Sequence, residues 1–212
     1  EQYPDVKFIA VDVTQGDIGT DEIPSNCYCI TFKEEQAGYL AGYAIAKDGK
    51  TKLGFLGGMA VPAVIRYGYG FVQGADAAAQ ELGQNIDINY FYGGQFYGDA
   101  NITSRMEGWY SNGTQVVFAC GGGIYTSAVE AALKNNGYVI GVDVDQSYES
   151  DTVVTSAMKQ LSVSVYDGVR DFYAGSFPGG KTSIFSAKND GIGLPMETSK
   201  FTKFTQADYD AV

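Results

Sequence analysis

Apolar residues recur along the chain in two alternating patterns, short β-branched runs and longer segments with three- and four-residue spacing. Between residues 52 and 142 these patterns predict strand, helix, strand, helix, strand, helix and strand. The longest helix begins at Pro62, because proline suits the first helical turn, and its apolar stripe continues to Leu82. Regular alternation of strands and helices is typical of a parallel, doubly wound sheet, so the predicted fold class is α/β.

Further elements are predicted on both sides of this stretch. Strands are predicted at residues 6–12, 27–32, 152–155 and 182–187, and helices at 33–47 and 161–174. Residues 14–26 are rich in Gly, Asp, Thr and Ser and favour a loop, and the tail from residue 190 is predicted to be irregular, with one helical turn near its end. The last of the helices carries an apolar stripe that predicts a core-facing surface, formed by Val165, Val169 and Phe172.

The chain is acidic and contains no histidine. A formal net charge of −11 and a pI of about 4.3 argue against nucleic acid and anionic membrane surfaces, which attract basic proteins. The absence of histidine removes the commonest general base, the Ser-His-Asp and Cys-His nucleophile systems and most zinc sites. We therefore expect a ligand-binding protein rather than an enzyme, with no metal and no cofactor. No apolar run reaches the length of a membrane-spanning helix.

The three cysteines are Cys27, Cys29 and Cys120. Cys27 and Cys29 lie two residues apart on a predicted strand, so their side chains share one face and are poorly placed to form a disulfide with each other. An odd number of cysteines without framework spacing indicates buried free thiols.

Charged residues stand at or just beyond the carboxyl ends of predicted strands. They are Asp12, Asp143, Asp145 and Lys159. In open α/β sheets, ligands bind outside the carboxyl ends of the strands. A carboxylate accepts two hydrogen bonds at once, which suits the vicinal hydroxyls of a ribose or sugar, at about 1.5–3 kcal/mol for each bond. The alternatives are that the aspartates cap helices or form turns and that Lys159 is a solvated surface lysine.

Glycines and aromatic residues lie close to these charges in the predicted topology. Gly57-Gly58-Met59 and Gly121-Gly122-Gly123 follow predicted strands, where glycine either lets a ligand approach the backbone or simply permits a tight turn. Four aromatic residues lie in predicted loops or at strand ends, namely Phe32, Phe96, Tyr97 and Tyr125. A ring in such a position either stacks on a planar base, which is worth about 1–3 kcal/mol, or packs locally.

Residues 175–182, Gly-Ser-Phe-Pro-Gly-Gly-Lys-Thr, match the phosphate-binding loop pattern G-x-x-x-x-G-K-[ST]. Such a loop needs a strand before it and a helix after it, so that backbone N–H groups at the helix N-terminus hold the phosphate. Here a helix is predicted before the motif and a strand after it. We therefore interpret the segment as a turn.

Several segments together resemble the basic membrane protein family, the substrate-binding lipoproteins of bacterial ABC transporters that include purine-nucleoside receptors. The segments are Lys-Leu-Gly-Phe-Leu-Gly-Gly-Met at 52–59, the Pro62 helix with Gly70, Phe71 and Gly74, Tyr-Gly-Gly-Gln-Phe-Tyr-Gly-Asp at 92–99, Ile-Gly-Val-Asp-Val-Asp-Gln at 140–146 and Val-Thr-Ser-Ala-Met-Lys at 154–159. The resemblance covers residues 4–187. It implies a type I periplasmic-binding-protein-like fold, in which two Rossmann-like lobes contain parallel sheets.

The resemblance also implies a division of the chain into lobes. Residues 33–157 would form a complete lobe 2, and residues 1–32 and 158–212 would form part of lobe 1. Family members carry further βα units before the strand at 6–12, so the resemblance implies an N-terminally truncated chain with an incomplete lobe 1. The start at Glu1 without an initiator methionine agrees with a processed or shortened chain. Truncation would expose an apolar sheet edge and favour self-association.

Ligand-binding residues follow from the resemblance, residue by residue. Asp143 is expected to accept hydrogen bonds from ribose hydroxyls, with Lys159 as its partner. Asp12 and Met59 are expected to line the two sides of a cleft. Phe96 occupies an aromatic position of the family.

One segment departs from the family pattern. Where the family usually has Gly-Gly-Thr-Gly, this chain has Gly122-Gly123-Ile124-Tyr125. Gly122 and Gly123 are expected to line the pocket, and Tyr125 is expected to narrow it or to offer a stacking face.

The resemblance implies an extracytoplasmic solute-binding protein of an ABC importer, anchored to the membrane by an N-terminal lipid in the full-length protein. The expected partners are a nucleoside-like small molecule, bound by clamp closure between the lobes, and an ABC permease, with no nucleic acid. One alternative is the ligand-sensing domain of a transcriptional or signalling regulator with the same fold. Another is an enzyme with Asp12 and Asp143 as an acid–base pair, which is disfavoured because no nucleophile or metal cluster accompanies them.

Overall fold

The computed structural model of the protein describes residues 3–212. The chain divides into two compact units. Unit 1 contains the described residues up to Lys33 together with Lys159–Ile192, and unit 2 contains Glu34–Met158 and Gly193–Val212. Each unit is therefore built from two separate segments of the chain.

Strands and helices alternate through most of the chain. The strands are β1 (Phe8–Val11), β2 (Cys27–Phe32), β3 (Lys52–Gly57), β4 (Asp87–Tyr92), β5 (Val116–Cys120), β6 (Tyr138–Asp143), β7 (Val153–Lys159), β8 (Lys181–Phe185) and β9 (Ile192–Gly193). The helices are α1 (Gln15–Ile18), α2 (Glu34–Lys47), α3 (Pro62–Leu82), α4 (Ala100–Ser111), α5 (Tyr125–Asn135), α6 (Leu161–Tyr173) and α7 (Gln206–Asp210). The predicted α/β class is confirmed, although the segment predicted as a loop at 14–26 contains the short helix α1.

The larger of the two sheets has six strands in the order β4-β3-β5-β6-β7-β9. Strands β3 to β7 pair in parallel. Tyr67 and Phe71 of α3 pack on Phe118 at one face, and α4 and α5 surround Leu56 at the other. Because the central strands are buried on both faces, their sequences are continuous apolar runs.

Glycines allow α2 and α3 to pack with their backbones in contact. An added Cβ atom at each of four glycines would lie 2.0–2.2 Å from a carbonyl oxygen of the facing helix. These glycines are Gly38, Gly42, Gly70 and Gly74. The close approach leaves α3 little freedom to shift, so side chains on its buried face have fixed positions.

The smaller sheet, in unit 1, has three parallel strands in the order β1-β2-β8. Helix α6 packs on it through its small residues, because Ser164 and Gly168 are its buried positions. A Cβ atom at Gly168 would lie 2.9 Å from the Cδ1 atom of Ile9. The helix therefore approaches the sheet closely along a narrow face.

The apolar stripe of α6 is exposed, and the prediction that it faces the core is wrong. Val165, Val169 and Phe172 are 37%, 41% and 45% exposed. Helical spacing shows which residues share a face, but it does not show which face approaches the sheet. In α6 the face that carries the small residues Ser164 and Gly168 packs against the sheet, and the apolar stripe lies beside it in contact with water.

The C-terminal residues 193–212 belong to unit 2, whereas the family resemblance implied that they form part of lobe 1. The buried carboxylate of Asp48 accounts for the difference. Its Oδ1 atom accepts hydrogen bonds from the backbone N–H groups of Thr202 and Lys203, both at 2.6 Å, and of Phe204 at 3.2 Å. Hydrogen bonds to a carboxylate are about twice as strong as neutral ones, and no periodic pattern signals them in a sequence.

Candidate functional site

Two groups of predicted site residues lie at strand ends, one in each unit. In unit 1, Asp12 directly follows β1 and Lys159 is the last residue of β7. The Lys159 Nζ atom donates a hydrogen bond to Asp12 Oδ2 at 2.8 Å. The Lys159 side chain is only 3% exposed, so the alternative that it is a solvated surface lysine is wrong.

The buried ammonium of Lys159 has two favourable neighbours within unit 1. Asp12 supplies the opposite charge that a buried ammonium needs, and its own side chain is 40% exposed. The Lys159 Nζ atom also lies 5.4 Å from the centre of the Phe32 ring, which is a cation–π distance. Phe32 is the last residue of β2, as predicted, and it is a buried partner of the lysine.

Asp12 and Asp143 have the same unusual backbone conformation. Their φ angles are 59° and 67°, in the left-handed region that residues other than glycine adopt uncommonly. Asparagine and aspartate tolerate this region best, because their short polar side chains make local hydrogen bonds. Each carboxylate is thus turned sharply at the end of a parallel strand.

In unit 2, Asp143 lies beside the hydroxyl group of Tyr67. The Tyr67 hydroxyl is 3.4 Å from Asp143 Oδ1 and 3.3 Å from the carbonyl oxygen of Ala157. Tyr67 is 2% exposed. Tyr67 lies on the apolar stripe of α3, so its spacing predicts a core residue, and the one signal of a further role is a tyrosine where phenylalanine would fill a core equally well.

The Gly-Val-Asp-Val-Asp-Gln segment forms a turn in which Asp145 and Gln146 have structural roles. Gln146 Oε1 accepts a hydrogen bond from the Val142 backbone N–H at 2.8 Å. Asp145 accepts hydrogen bonds from the Thr198 hydroxyl at 2.6 Å and the Ser147 backbone N–H at 2.9 Å. Partial burial acts to raise the pKa of Asp145, but these hydrogen bonds and the charge of nearby Lys200 outweigh it and hold the pKa below its usual range.

Phe96 lies over the glycines that follow β3 and β5. An added Cβ atom at Gly58 would lie 2.5 Å from the Phe96 ring, and one at Gly121 would lie 3.0 Å from it. The Gly123 backbone N–H donates to the Phe96 carbonyl oxygen at 2.7 Å. Gly122 is exposed with a φ angle of 52°. These glycines therefore seat the Phe96 loop at the carboxyl ends of the two strands.

The remaining predicted residues of unit 2 border the same strand ends. Met59 follows β3 and is 40% exposed. Tyr125 is the first residue of α5, and its partly buried ring packs against the hydrophobic core. Burial, followed by a hydrogen bond with the Glu149 side chain and the charge of that carboxylate, raises the pKa of the Tyr125 hydroxyl.

The phosphate-loop pattern at 175–182 follows α6 and runs into the first two residues of β8, so a strand and not a helix N-terminus follows the turn. The Gly180 backbone N–H donates to the carbonyl oxygen of Cys27 at 2.9 Å, which fixes the turn to the neighbouring strand. Within residues 3–212, no group of three or more Cys, Asp or Glu side chains is placed to hold a metal ion.

The parallel sheets and strand-end residues define a class of α/β protein with a periplasmic-binding-protein-like fold. Solved structures with this fold include a solute-binding protein of an ABC transporter system from Aeropyrum pernix K1, with a TM-score of 0.76 and 24% identity over 91% of this chain and 55% of that chain. A second such protein, from Conexibacter woesei DSM 14684, has a TM-score of 0.76 and 22% identity over 99% of this chain and 67% of that chain. A transcriptional activator of the comK gene from Bacillus halodurans has a TM-score of 0.73 and 19% identity over 99% of this chain and 68% of that chain. At these identities the likeness establishes the fold alone.

The chain belongs to the family of PnrA-like ABC transporter substrate-binding proteins, whose family model matches residues 1–210. One relative is basic membrane protein D of Borreliella burgdorferi strain JD1, with 33% identity over 87% of this chain and 54% of that protein. Another is the ABC transporter nucleoside-binding protein BmpA of Lactococcus lactis subsp. cremoris strain MG1363, with 31% identity over 92% of this chain and 58% of that protein. The chain thus spans a little over half the length of these relatives. The predicted family is confirmed, and it is a family of binding proteins rather than enzymes.

Proposed function

We propose that this chain binds a nucleoside-like solute for an ABC importer. The observation that carries the proposal is the carboxylate of Asp143, turned by a left-handed backbone at the end of β6. A carboxylate in this position accepts two hydrogen bonds from vicinal hydroxyls. The Lactococcus lactis relative, named as a nucleoside-binding protein, supports the choice of ligand class.

The other site residues have proposed roles that follow from their chemistry. Asp143 accepts hydrogen bonds from the ribose hydroxyls. Lys159, held by Asp12, is the complementary donor. Phe96 offers an aromatic face to the base, and Met59 contacts the apolar edge of the base.

The segment from Gly122 to Tyr125 has a proposed role in ligand selection. Gly122 and Gly123 carry no side chain that would hold a ligand away from the backbone. Tyr125 limits the size of the base that fits or stacks on it. Clamp closure, the remaining part of the proposal, would appear as a ligand-dependent fall in the radius of gyration in solution scattering.

Isothermal titration with a panel of ribonucleosides tests the proposal, applied to both the 212-residue chain and the complete gene product. We expect Asp143→Asn to weaken binding by about 10–100-fold, because each hydrogen bond to a charged group contributes about 1.5–3 kcal/mol. Asp76→Asn on the exposed side of α3 is the matched control and should bind as the unaltered protein does. Absence of binding to every nucleoside at millimolar concentration would exclude this ligand class.

A second candidate function is a ligand-sensing domain of a regulator. It is favoured by the fold shared with the comK transcriptional activator, at a TM-score of 0.73. Uptake of labelled nucleoside by cells that lack the gene separates the two functions. Loss of uptake supports the importer, whereas normal uptake with altered transcription supports the regulator.

We also propose an extracytoplasmic location with a lipid anchor on the complete gene product. In the described part of the chain, no helix combines the length and apolar character needed to cross a membrane. Attachment by an acyl chain is compatible with this observation. Mass spectrometry of the membrane-associated protein tests the proposal, because a lipid anchor adds the mass of its acyl chains to the N-terminal residue.

A further inference from the structure

We propose that Tyr67 is a positioning residue, whose buried hydroxyl orients the Asp143 carboxylate so that it accepts hydrogen bonds from ligand hydroxyls. This inference rests on the proposed nucleoside site and adds to it a residue that does not itself touch the ligand. Tyr67 acts from inside the core, through its contact with Asp143.

The Tyr67 ring is held rigidly. It is 2% exposed and packs edge-on against Phe118, with ring centres 5.8 Å apart and an interplanar angle of 85°. The backbone of Tyr67 is fixed as well, because its carbonyl oxygen faces Gly38 of α2 with no room for a side chain. The position of the hydroxyl is therefore set by the packing of α3 and not by the ligand.

The hydroxyl lies between two acceptors at the ends of neighbouring strands. Asp143 Oδ1 is 3.4 Å away on β6, and the Ala157 carbonyl oxygen is 3.3 Å away on β7. A carbonyl oxygen cannot donate, and an ionised carboxylate cannot either, so the hydroxyl donates its single proton to one of them at a time. Tyr67 thus links the two strand ends beside the candidate site.

A donor at this position favours carboxylate orientations of Asp143 in which Oδ1 faces the Tyr67 hydroxyl. The terminal torsion of an aspartate side chain is broad, so a hydrogen bond to one oxygen restricts the carboxylate to fewer orientations. A carboxylate has about four lone-pair sites, and one bond from Tyr67 does not exhaust them. The arrangement favours ligand groups that donate, such as vicinal hydroxyls, over groups that only accept.

Both distances are long for hydrogen bonds to a hydroxyl, so we expect an effect of modest size. Tyr67→Phe should weaken the binding of a ribonucleoside about three- to tenfold. It should leave the affinity for the matching 2′,3′-dideoxynucleoside unchanged, because that ligand lacks the hydroxyls that Asp143 accepts. Phenylalanine keeps the ring that packs on Phe118, so the fold is preserved.

Tyr110→Phe is the matched control. Tyr110 is also buried, at 6% exposure, and its hydroxyl donates to the Tyr138 carbonyl oxygen at 2.7 Å. The control removes one buried hydroxyl from the same unit and should leave the affinity for both ligands unchanged. Equal loss for the two ligands in Tyr67→Phe, or no loss for either, would overturn the proposal.

A measurement without ligand separates this inference from the proposed function. If the unaltered protein binds no nucleoside, the proposed function fails, and the role of Tyr67 is decided by carbon-13 NMR of the Asp143 carboxyl, assigned with Asp143→Asn. We expect the chemical shift of this carboxyl to change in Tyr67→Phe and to stay constant in Tyr110→Phe. An unchanged shift in Tyr67→Phe would show that the hydroxyl does not act on Asp143.

Discussion

Among the described residues of unit 1, Lys159 has the most deeply buried charged side chain, and its ammonium forms an ion pair with Asp12. Its side chain is 3% exposed, and the bond to Asp12 is short. Removal of one partner from a buried ion pair costs more than the pair contributes, because the remaining charge keeps its desolvation cost and has less compensation. Surface ion pairs carry no such penalty, since water replaces the lost partner.

We predict that Asp12→Ala lowers the free energy of unfolding by about 1.5–3 kcal/mol, the usual effect of losing a hydrogen bond to a charged group. Asp167→Ala is the control, because Asp167 pairs with Arg170 on the exposed side of α6 and its loss should cost less than about 1 kcal/mol. Urea denaturation of both variants makes the comparison. Equal losses would mean that the burial of Lys159 is unimportant for stability.

The thiols provide a second prediction at the scale of single residues. Cys29 and Cys120 are buried and Cys27 is partly exposed. Burial, followed by the neighbouring Cys27 thiol, raises the pKa of Cys29 to about 11, so this group stays protonated and unreactive at neutral pH. We expect a chromogenic disulfide reagent to titrate no more than one thiol in the folded protein and all three in guanidinium chloride. Rapid reaction of two thiols without denaturant would contradict the structure.

Helices α2 and α3 depend on glycine more than any other pair of elements described in unit 2. A methyl group at Gly74 would meet the Tyr39 carbonyl oxygen at 2.0 Å, and backbone atoms cannot turn aside as a flexible side chain can. The close approach also fixes α3 against α2, and with it the backbone position from which the Tyr67 side chain extends.

We predict that Gly74→Ala destabilises the protein by at least about 2 kcal/mol, since overpacking a tight core costs about 1–3 kcal/mol and here the obstacle is backbone. Gly108→Ala on α4 is the control, because no atom lies within 4 Å of its added Cβ. There alanine should be neutral or stabilise by up to about 1 kcal/mol through helix propensity. Thermal unfolding monitored by circular dichroism distinguishes the two outcomes.

The tail gives a pH-dependent prediction at the scale of elements. Asp145 accepts a hydrogen bond from Thr198, and its pKa is lowered in the folded protein. A lowered pKa means that its stabilisation is present above the ordinary value of 3.8 and is lost as the pH falls through the lower folded-state value. Asp145→Asn should therefore be less stable than the unaltered protein at pH 7 and equally stable well below pH 3.8. A stability difference that persists in acid would exclude this role of the carboxylate.

Periodic elements were predictable from sequence, whereas their long-range partners were not. The helix from Pro62 to Leu82 has its predicted bounds, because Pro62 marks its start and Gly83 its end. The docking of residues 193–212 depends on one carboxylate, Asp48, whose acceptor role has no sequence period. The Tyr67 hydroxyl was overlooked for the same reason, since its neighbours are distant in the chain.

At the scale of the whole molecule, unit 1 leaves apolar surface in contact with water. The stripe of Val165, Val169 and Phe172 is more than a third exposed. Strands β1 and β8 are the edges of the three-stranded sheet in the described chain. Exposed apolar stripes next to open sheet edges favour association between molecules.

We predict that the 212-residue chain self-associates as its concentration rises, with the exposed stripe of α6 in the contact. Light scattering should show a mass above that of the monomer, and Val169→Lys should lower it. Tyr69→Lys on the exposed side of α3 is the control and should leave the association unchanged. A monomer at every concentration, or equal effects of the two variants, would exclude this surface.

The two-segment construction of unit 1 has a consequence for how the protein is made. Strand β2 pairs with β8, yet the whole of Glu34–Met158 lies between them in the chain. At a synthesis rate of about 5–20 residues per second, β8 follows β2 out of the ribosome by roughly 8–30 s. Closing so long a loop costs entropy before any pairing compensates for it, so we expect the small sheet to form later than the sheet of unit 2. During that interval β1 and β2 form an incomplete sheet that lacks β8, and we expect chaperones to bind mainly to these two strands.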